Sequence, residues 1–211
     1  MKKEYTYEEI WEHQSIIVYI ANYRFSTLQY LKNQYELNNP ATYSRFILES
    51  MYAFRETVII DLCKLFIKPS PNEDIEKMYK GFNSQLNFYY NIHKHKNHIE
   101  EEKFNSISKT LEDNQEKVNY LLTVRDKEIG HKDLSHSDRH KFHLNDLSIL
   151  SELLEIAKQI ILTHSYRHDF DEYSDDFTQP KWAIDVLDAI NFQRNETENM
   201  KFINNLKSDN K

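Results

Sequence analysis

The sequence predicts an all-α fold, an up-and-down bundle of four long helices joined by shorter helices. The first observation behind this prediction is the scarcity of helix breakers, because the chain has two glycines and four prolines in 211 residues. That composition leaves little material for the tight turns of a β-sandwich, a barrel or a Rossmann-like sheet. The second observation is the recurrence of apolar residues at spacings of three and four, which is typical of helices with one buried face. A chain of this length can build one hydrophobic core.

The first two helices are predicted to form an antiparallel hairpin. Thr6 and Glu9 match a capping box, in which the threonine caps the helix and the glutamate reaches back. This helix is expected to end near Leu37, and the Asn-Pro pair at 39–40 starts the second. The Lys-Pro-Ser-Pro stretch at 68–71 ends it, and a short link between long helices favours a hairpin. The expected core positions are Ile10, Trp11, Ile17, Val18, Ile20, Ala21, Phe25, Leu28 and Leu31 in the first helix, and Phe46, Ile47, Met51, Phe54, Val58, Leu62, Leu65 and Phe66 in the second.

The remaining chain is predicted to continue the bundle. A short helix is expected over 70–79, a loop or broken helix over 82–97, and a long helix over 99–130. A polar connector at 132–143 precedes another clear helix at 145–166. A last helix opens at 178–180 and is followed by a polar tail. We therefore expect a helical-bundle domain over 1–168 and a C-terminal extension over 169–211.

Composition excludes several functional classes. The net charge is −7, so no global basic field recruits nucleic acid, and neither glycine has the partner that a phosphate-binding loop requires. The single cysteine, Cys63, excludes a disulfide framework and a cysteine zinc site. It lies in an apolar run and is predicted to be a small buried residue rather than a nucleophile. No signal peptide or membrane span is recognisable, which predicts a cytoplasmic protein.

One arginine lies where the helical pattern calls for an apolar residue. On a regular helix Arg125 shares a face with Val118, Leu121, Leu122 and Ile129. Arginine is rarely buried there without a partner or a task. It could pair with a buried carboxylate such as Asp61 or Glu56. Asp61 is expected to pair with a basic side chain rather than to act as a second catalytic group.

The alternative is a functional role shared with a histidine. His131 follows Arg125 within two turns, Gly130 allows the helix to end or bend between them, and Asp126 could orient either group. A guanidinium forks onto phosphate oxygens, and an imidazole titrates near neutral pH. The pairing is suited to a phosphodiester.

The pattern of Arg125, Asp126, four further residues and His131 resembles the signature of the HEPN superfamily. Its continuation, Gly-His-Lys-Asp at 130–133, is similar to the branch found in abortive-infection proteins of the U type. The expected order of helices also fits, and the resemblance covers roughly residues 5–165. It implies a homodimer in which two copies of the motif face each other across a cleft that accepts RNA.

The resemblance implies a metal-independent RNA endonuclease of phage defence or of a toxin–antitoxin system, without a cofactor. Arg125 would hold the scissile phosphate, His131 would transfer protons, and Asp126 would position one of them. The products would be a cyclic phosphate end and a 5′-hydroxyl end. An antitoxin protein would be a further partner. The alternative is a catalytically inactive bundle that binds a protein or nucleic acid and regulates it.

Basic residues around and after the motif are candidates for RNA contact. They are Lys127, Lys132, His136, Arg139 and His140. The histidines at 136, 140 and 143 also have the spacing of a helical metal site, although a solvated connector is the favoured interpretation. The histidines at 93, 95 and 98 are likewise expected in a solvated loop. Those at 164 and 168 are expected to cap a helix.

Overall fold

The computed structural model describes residues 6–37, 45–68, 86–130 and 144–164, which contain six α-helices and no strand. The predicted all-α fold is confirmed. The expected helices at 70–79 and after 178, the connector at 132–143 and the boundary at 168 lie outside the described residues. The helices are α1 (Tyr7–Leu37), α2 (Arg45–Phe66), α3 (Phe88–Lys94), α4 (Glu101–Asp113), α5 (Gln115–Val124) and α6 (Leu144–His164), with a 3-10 turn at Lys96–His98 and a π-helical turn at Arg125–Gly130.

The predicted capping box opens α1. The backbone N–H of Thr6 donates to Glu9 Oε2 at 2.9 Å, and the backbone N–H of Glu9 donates to Thr6 Oγ1 at 3.2 Å. These reciprocal bonds satisfy groups that the first helical turn leaves without partners.

Helices α1 and α2 form the predicted antiparallel hairpin. The Phe88 ring lies 6.3 Å from Trp11, near the start of α1, and 5.3 Å from Phe66, at the end of α2, so these two helix ends adjoin. The predicted core faces are largely confirmed, but Ile20 is 37% exposed, and Ile17 and Phe54 are only partly buried. The Phe46 side chain lies outside the described residues.

An ion pair joins the two helices of the hairpin. Asp61 on α2 is buried, and its Oδ2 accepts a hydrogen bond from Arg24 Nη1 on α1 at 2.6 Å. Lys64 Nζ lies 3.3 Å from the other carboxylate oxygen. The expectation that Asp61 pairs with a basic side chain is confirmed, and each of its two carboxylate oxygens has a cationic partner.

Asn87 joins the end of α2 to the start of α3. Its Nδ2 donates to the backbone oxygens of Ile67, just after α2, at 2.6 Å, and of Lys64, in the last turn of α2, at 3.3 Å. Its Oδ1 accepts from the backbone N–H of Tyr90 at 3.3 Å and so caps α3. One buried side chain therefore ends one helix and begins another.

A pair of buried amide side chains, Gln14 and Asn91, holds α3 against α1. Gln14 Nε2 donates to the backbone oxygen of Leu86 at 2.9 Å, and Asn91 Nδ2 donates to Gln14 Oε1 at 3.1 Å. All the side chains of this chain of bonds are buried. Because an unpaired buried amide is costly, these bonds fix how α3 lies on the hairpin.

The long helix expected over 99–130 is divided into α4, α5 and the π-helical turn. The break falls at Asn114, whose Nδ2 donates to the backbone oxygen of Thr110 at 2.9 Å, while Lys117 Nζ donates to its Oδ1 at 2.8 Å. Asparagine side chains compete in this way with the helical backbone. Tyr89 on α3 secures the junction, since its hydroxyl lies within hydrogen-bond distance of the Leu111 backbone oxygen (3.1 Å) and of Gln115 Oε1 (3.0 Å).

Substitution Asn87→Ala is expected to lower the free energy of unfolding by about 2–4 kcal/mol, because it removes a helix cap and leaves buried carbonyls unsatisfied. Asn87→Asp keeps the cap of α3 but loses the donors to α2, and should also be destabilising. Chemical denaturation followed by circular dichroism measures both variants.

The matched control for this experiment is Asn119→Ala, at an exposed asparagine of α5 whose Oδ1 accepts from Gln115. It should change the free energy of unfolding by less than about 0.5 kcal/mol. Equal stability of Asn87→Asp and the wild type would contradict a role for Asn87 at the end of α2.

Candidate functional site

Arg125 lies where α5 passes into the π-helical turn. The buried positions of α5 are Val118, Leu121 and Val124, and the last of them lies one residue before Arg125. The backbone N–H of Arg125 is shared between the carbonyl oxygens of residues 121 and 122, as is common at the end of an α-helix. The sequence placed Arg125 in the middle of the apolar stripe. The structure places it at the margin, with its side chain 33% exposed.

The π-helical turn spans the described part of the motif. Its i→i+5 hydrogen bonds enclose one more residue than the i→i+4 bonds of an α-helix, so the backbone is wider there. It begins at Arg125, five residues before Gly130, the glycine that was expected to bend the helix. The rotation about the helix axis from Arg125 to the residues after it therefore differs from that of a regular α-helix. Short π-helical turns of this kind are frequently found at functional sites.

The carboxylate that pairs with Arg125 in the described structure is its neighbour, Asp126. Both Nε and Nη2 of the guanidinium lie 2.8 Å from the same oxygen, Asp126 Oδ1. The Asp126 side chain is 62% exposed, and Asp61, a carboxylate considered from the sequence, pairs with Arg24 and Lys64 instead. A pair between exposed neighbours contributes little to stability. Arg125 is therefore oriented by Asp126 without being locked into the core.

The motif packs against the second half of α2, next to Cys63. This cysteine is buried, as the sequence predicted. Burial raises the pKa of the Cys63 thiol to about 11; the Arg125 guanidinium acts in the opposite direction, and the Asp126 carboxylate reinforces the rise. The thiol is protonated at neutral pH and is not a nucleophile. It belongs to the hydrophobic core on which the site is built.

The structure brings together only the first part of the predicted site. Arg125 and Asp126 are in contact, and Lys127 follows with an exposed side chain. The other site residues, His131, Lys132, His136, Arg139 and His140, lie outside the described residues. Their approach to Arg125 stays a prediction.

An ion pair that the sequence analysis missed positions the helix that carries Arg125. Lys117 Nζ on α5 lies 2.7 Å from Glu152 Oε2 on α6, and both side chains are partly exposed. The pair joins residues that are far apart in sequence, so no local pattern signals it. A search for basic residues one or two turns before the motif would find Lys117 but not its partner.

The histidines at 93, 95 and 98 were expected in a solvated loop, and this expectation needs correction. His93 lies on α3, His98 lies in the 3-10 turn, and both are exposed, but His95 between them is partly buried against Tyr7. Within 6–37, 45–68, 86–130 and 144–164, no three histidine, cysteine or acidic side chains are arranged to hold a metal ion. None of the helices in these ranges combines the length and apolar character needed to cross a bilayer.

Cys63 is expected to react with a thiol reagent such as DTNB about a hundredfold more slowly in the native protein than in the unfolded chain at pH 8. The reason is the smaller thiolate fraction that its raised pKa leaves, with burial slowing the reaction further. Absorbance of the released thionitrobenzoate measures both rates. A native rate close to the rate in denaturant would contradict the burial of Cys63 in the core.

Comparison of the chain with protein-family models, with characterised proteins and with solved structures finds no significant match. The likeness to HEPN proteins rests on the motif at 125–131 and on its position in an all-α chain. Function is therefore inferred from the site itself.

Proposed function

We propose that this protein is a metal-independent RNA endonuclease of the HEPN type, acting as a homodimer in phage defence or in a toxin–antitoxin system. The observation that supports this proposal is the state of Arg125. The arginine is partly exposed at the end of a helix, in a π-helical turn, and is paired with an exposed neighbour rather than with a core carboxylate. A purely structural arginine on this face would be expected to satisfy a buried acid.

Arg125 is suited to hold the scissile phosphate. Asp126 engages the Nε side of the guanidinium, which leaves N–H donors on Nη1 and on the outer side of Nη2. These donors lie in the guanidinium plane and match two phosphate oxygens. Charge that develops on those oxygens in the transition state would be stabilised by a group whose orientation is already set. Asp126 acts in this scheme as a positioning residue.

His131 is proposed to transfer protons. An imidazole accepts the proton of the ribose 2′-hydroxyl as its oxygen attacks phosphorus, and an imidazolium donates a proton to the departing 5′-oxygen. The new bond between the 2′-oxygen and phosphorus closes a 2′,3′-cyclic phosphate, and the broken bond frees a 5′-hydroxyl. The substrate supplies its own nucleophile, so the scheme requires no metal ion. Two motifs facing each other in a dimer would supply two histidines to one cleft.

The net charge of −7 restricts how RNA is bound. Counterion release from phosphates requires local basic groups, because the whole protein repels a polyanion. Lys127 is exposed beside Arg125. Lys132, His136, Arg139 and His140 are proposed to extend this local patch. An antitoxin protein that covers the patch would be a partner of complementary charge.

Arg125→Lys is expected to lower RNA cleavage in EDTA by about a hundredfold to a thousandfold, because lysine keeps the charge but loses the fork on the transition-state oxygens. The measurement is the single-turnover rate on a mixed pool of labelled RNAs. Arg24→Lys is the matched control, since Arg24 is 34% exposed and also paired with an aspartate. It should keep the wild-type rate.

His131→Ala is expected to lower the cleavage rate by a similar factor to Arg125→Lys. RNA affinity should stay within about threefold of the wild type, because proton transfer contributes to the rate and not to binding. His93→Ala, at an exposed histidine on α3, is the control. Cleavage that survives both Arg125→Lys and His131→Ala would refute the mechanism. Tight RNA binding by the wild type with no cleavage of any RNA would favour the inactive regulatory bundle instead.

A further inference from the structure

Three aromatic rings fasten the start of α1 to the segment that follows α3. Tyr7, in the first turn of α1, lies 5.3 Å from the His95 ring and 5.8 Å from the His98 ring, and its plane is within 22° of that of His98. The two histidine rings are 6.0 Å apart. We call these three residues the ring cluster. It joins parts of the chain that are almost ninety residues apart.

His95 has one ring nitrogen that is suited only to the neutral form. Its Nε2 is shielded from solvent and has no hydrogen-bond partner in the described structure. A neutral imidazole can leave this nitrogen as an unprotonated acceptor, whereas an imidazolium carries a proton on both nitrogens. Protonation would place an N–H without an acceptor, and part of a positive charge, among packed rings.

The charged groups around His95 come from three elements. Burial lowers the pKa of His95 most strongly, Lys94 on α3 and His98 in the 3-10 turn lower it further, and Glu8 on α1 acts in the opposite direction. The phenol of Tyr7, the remaining titratable group in the ring cluster, contacts both histidines. The surroundings favour the neutral imidazole.

We propose that the ring cluster is an acid-sensitive latch, which closes the start of α1 onto residues 88–98 when His95 is neutral and opens when His95 binds a proton. Because the folded pKa lies below the unfolded value of about 6.5, the latch has its full stability above that pH and loses it as the pH falls toward the folded pKa.

Opening of the latch is local. Asn87 and Phe88 hold the start of α3 through bonds and ring contacts that involve no titratable group. The part released is the end of the segment, where the backbone N–H of His98 donates to the His95 carbonyl at 2.8 Å and that of Ile99 donates to the Lys96 carbonyl at 3.2 Å. Such single-turn bonds at a surface are among the first that a fold gives up.

Amide hydrogen exchange tests the latch in the full chain. After correction for the intrinsic rate at each pH, exchange at the His98 and Ile99 amides of the wild type should accelerate about tenfold or more between about pH 7.5 and 5. His95→Phe keeps an aromatic ring but cannot bind a proton, and should show less than about a twofold change. His93→Phe, at the exposed histidine two residues earlier, should respond like the wild type.

A second measurement keeps the proposal testable if His95→Phe fails to fold. The imidazole resonances of His95 in the wild type should titrate together with the ring resonances of Tyr7, at a lower pH than in the unfolded chain. Glu8→Gln should move this midpoint to still lower pH, because it removes the one facing group that favours the charge. An unchanged acid response in His95→Phe, or a His95 titration without any change at Tyr7, would overturn the latch.

Discussion

The arrangement of the bundle depends on the way one asparagine satisfies two helix ends at once. Helix α2 ends with backbone carbonyls that need donors, and α3 begins with N–H groups that need an acceptor. Asn87 provides both from a single buried amide, so the two helices meet at a fixed angle. A residue with only one kind of hydrogen-bonding group would serve one end and leave the other unsatisfied inside the protein.

The candidate site is held through a series of contacts that starts at that junction. Helix α3 presents Tyr89 to the turn between α4 and α5. Helix α5 then contacts α2 and ends at Val124, next to Arg125. Lys117 fixes α5 laterally through Glu152 of α6. The π-helical turn that carries Arg125 also contacts α2. The side chains proposed for the chemistry, Arg125 and Asp126, are partly exposed and lie outside the hydrophobic core.

The sequence predicted those features whose cause is local. The capping box of Thr6 and Glu9 lies within four residues, and the buried faces of α1 and α2 follow largely from periodicity, so both are confirmed. Ile20 was expected on the same face but is exposed, because it lies about 100° around the helix from the buried Ala21. The pairing of Arg24 with Asp61 depends on the approach of two helices, which the sequence does not encode at short range.

At the site, the motif was recognisable from spacing, but the π-helical turn that moves Arg125 to the margin was not. A histidine-rich stretch predicted a solvated loop, and only the packing of Tyr7 shows that His95 differs from its neighbours.

The pairing of Arg125 with the residue beside it also affects how easily a mutation at this position can persist. A bond between adjacent side chains closes no loop and joins no helices, so its loss leaves the free energy of unfolding almost unchanged. Folding and quality control would therefore not detect the replacement of this arginine, whereas they would reject most changes at Asn87 or Asp61. If the proposed activity is harmful to the cell that carries it, a single substitution at position 125 would silence it and leave an intact bundle. Selection for activity would then be the one force that preserves the arginine.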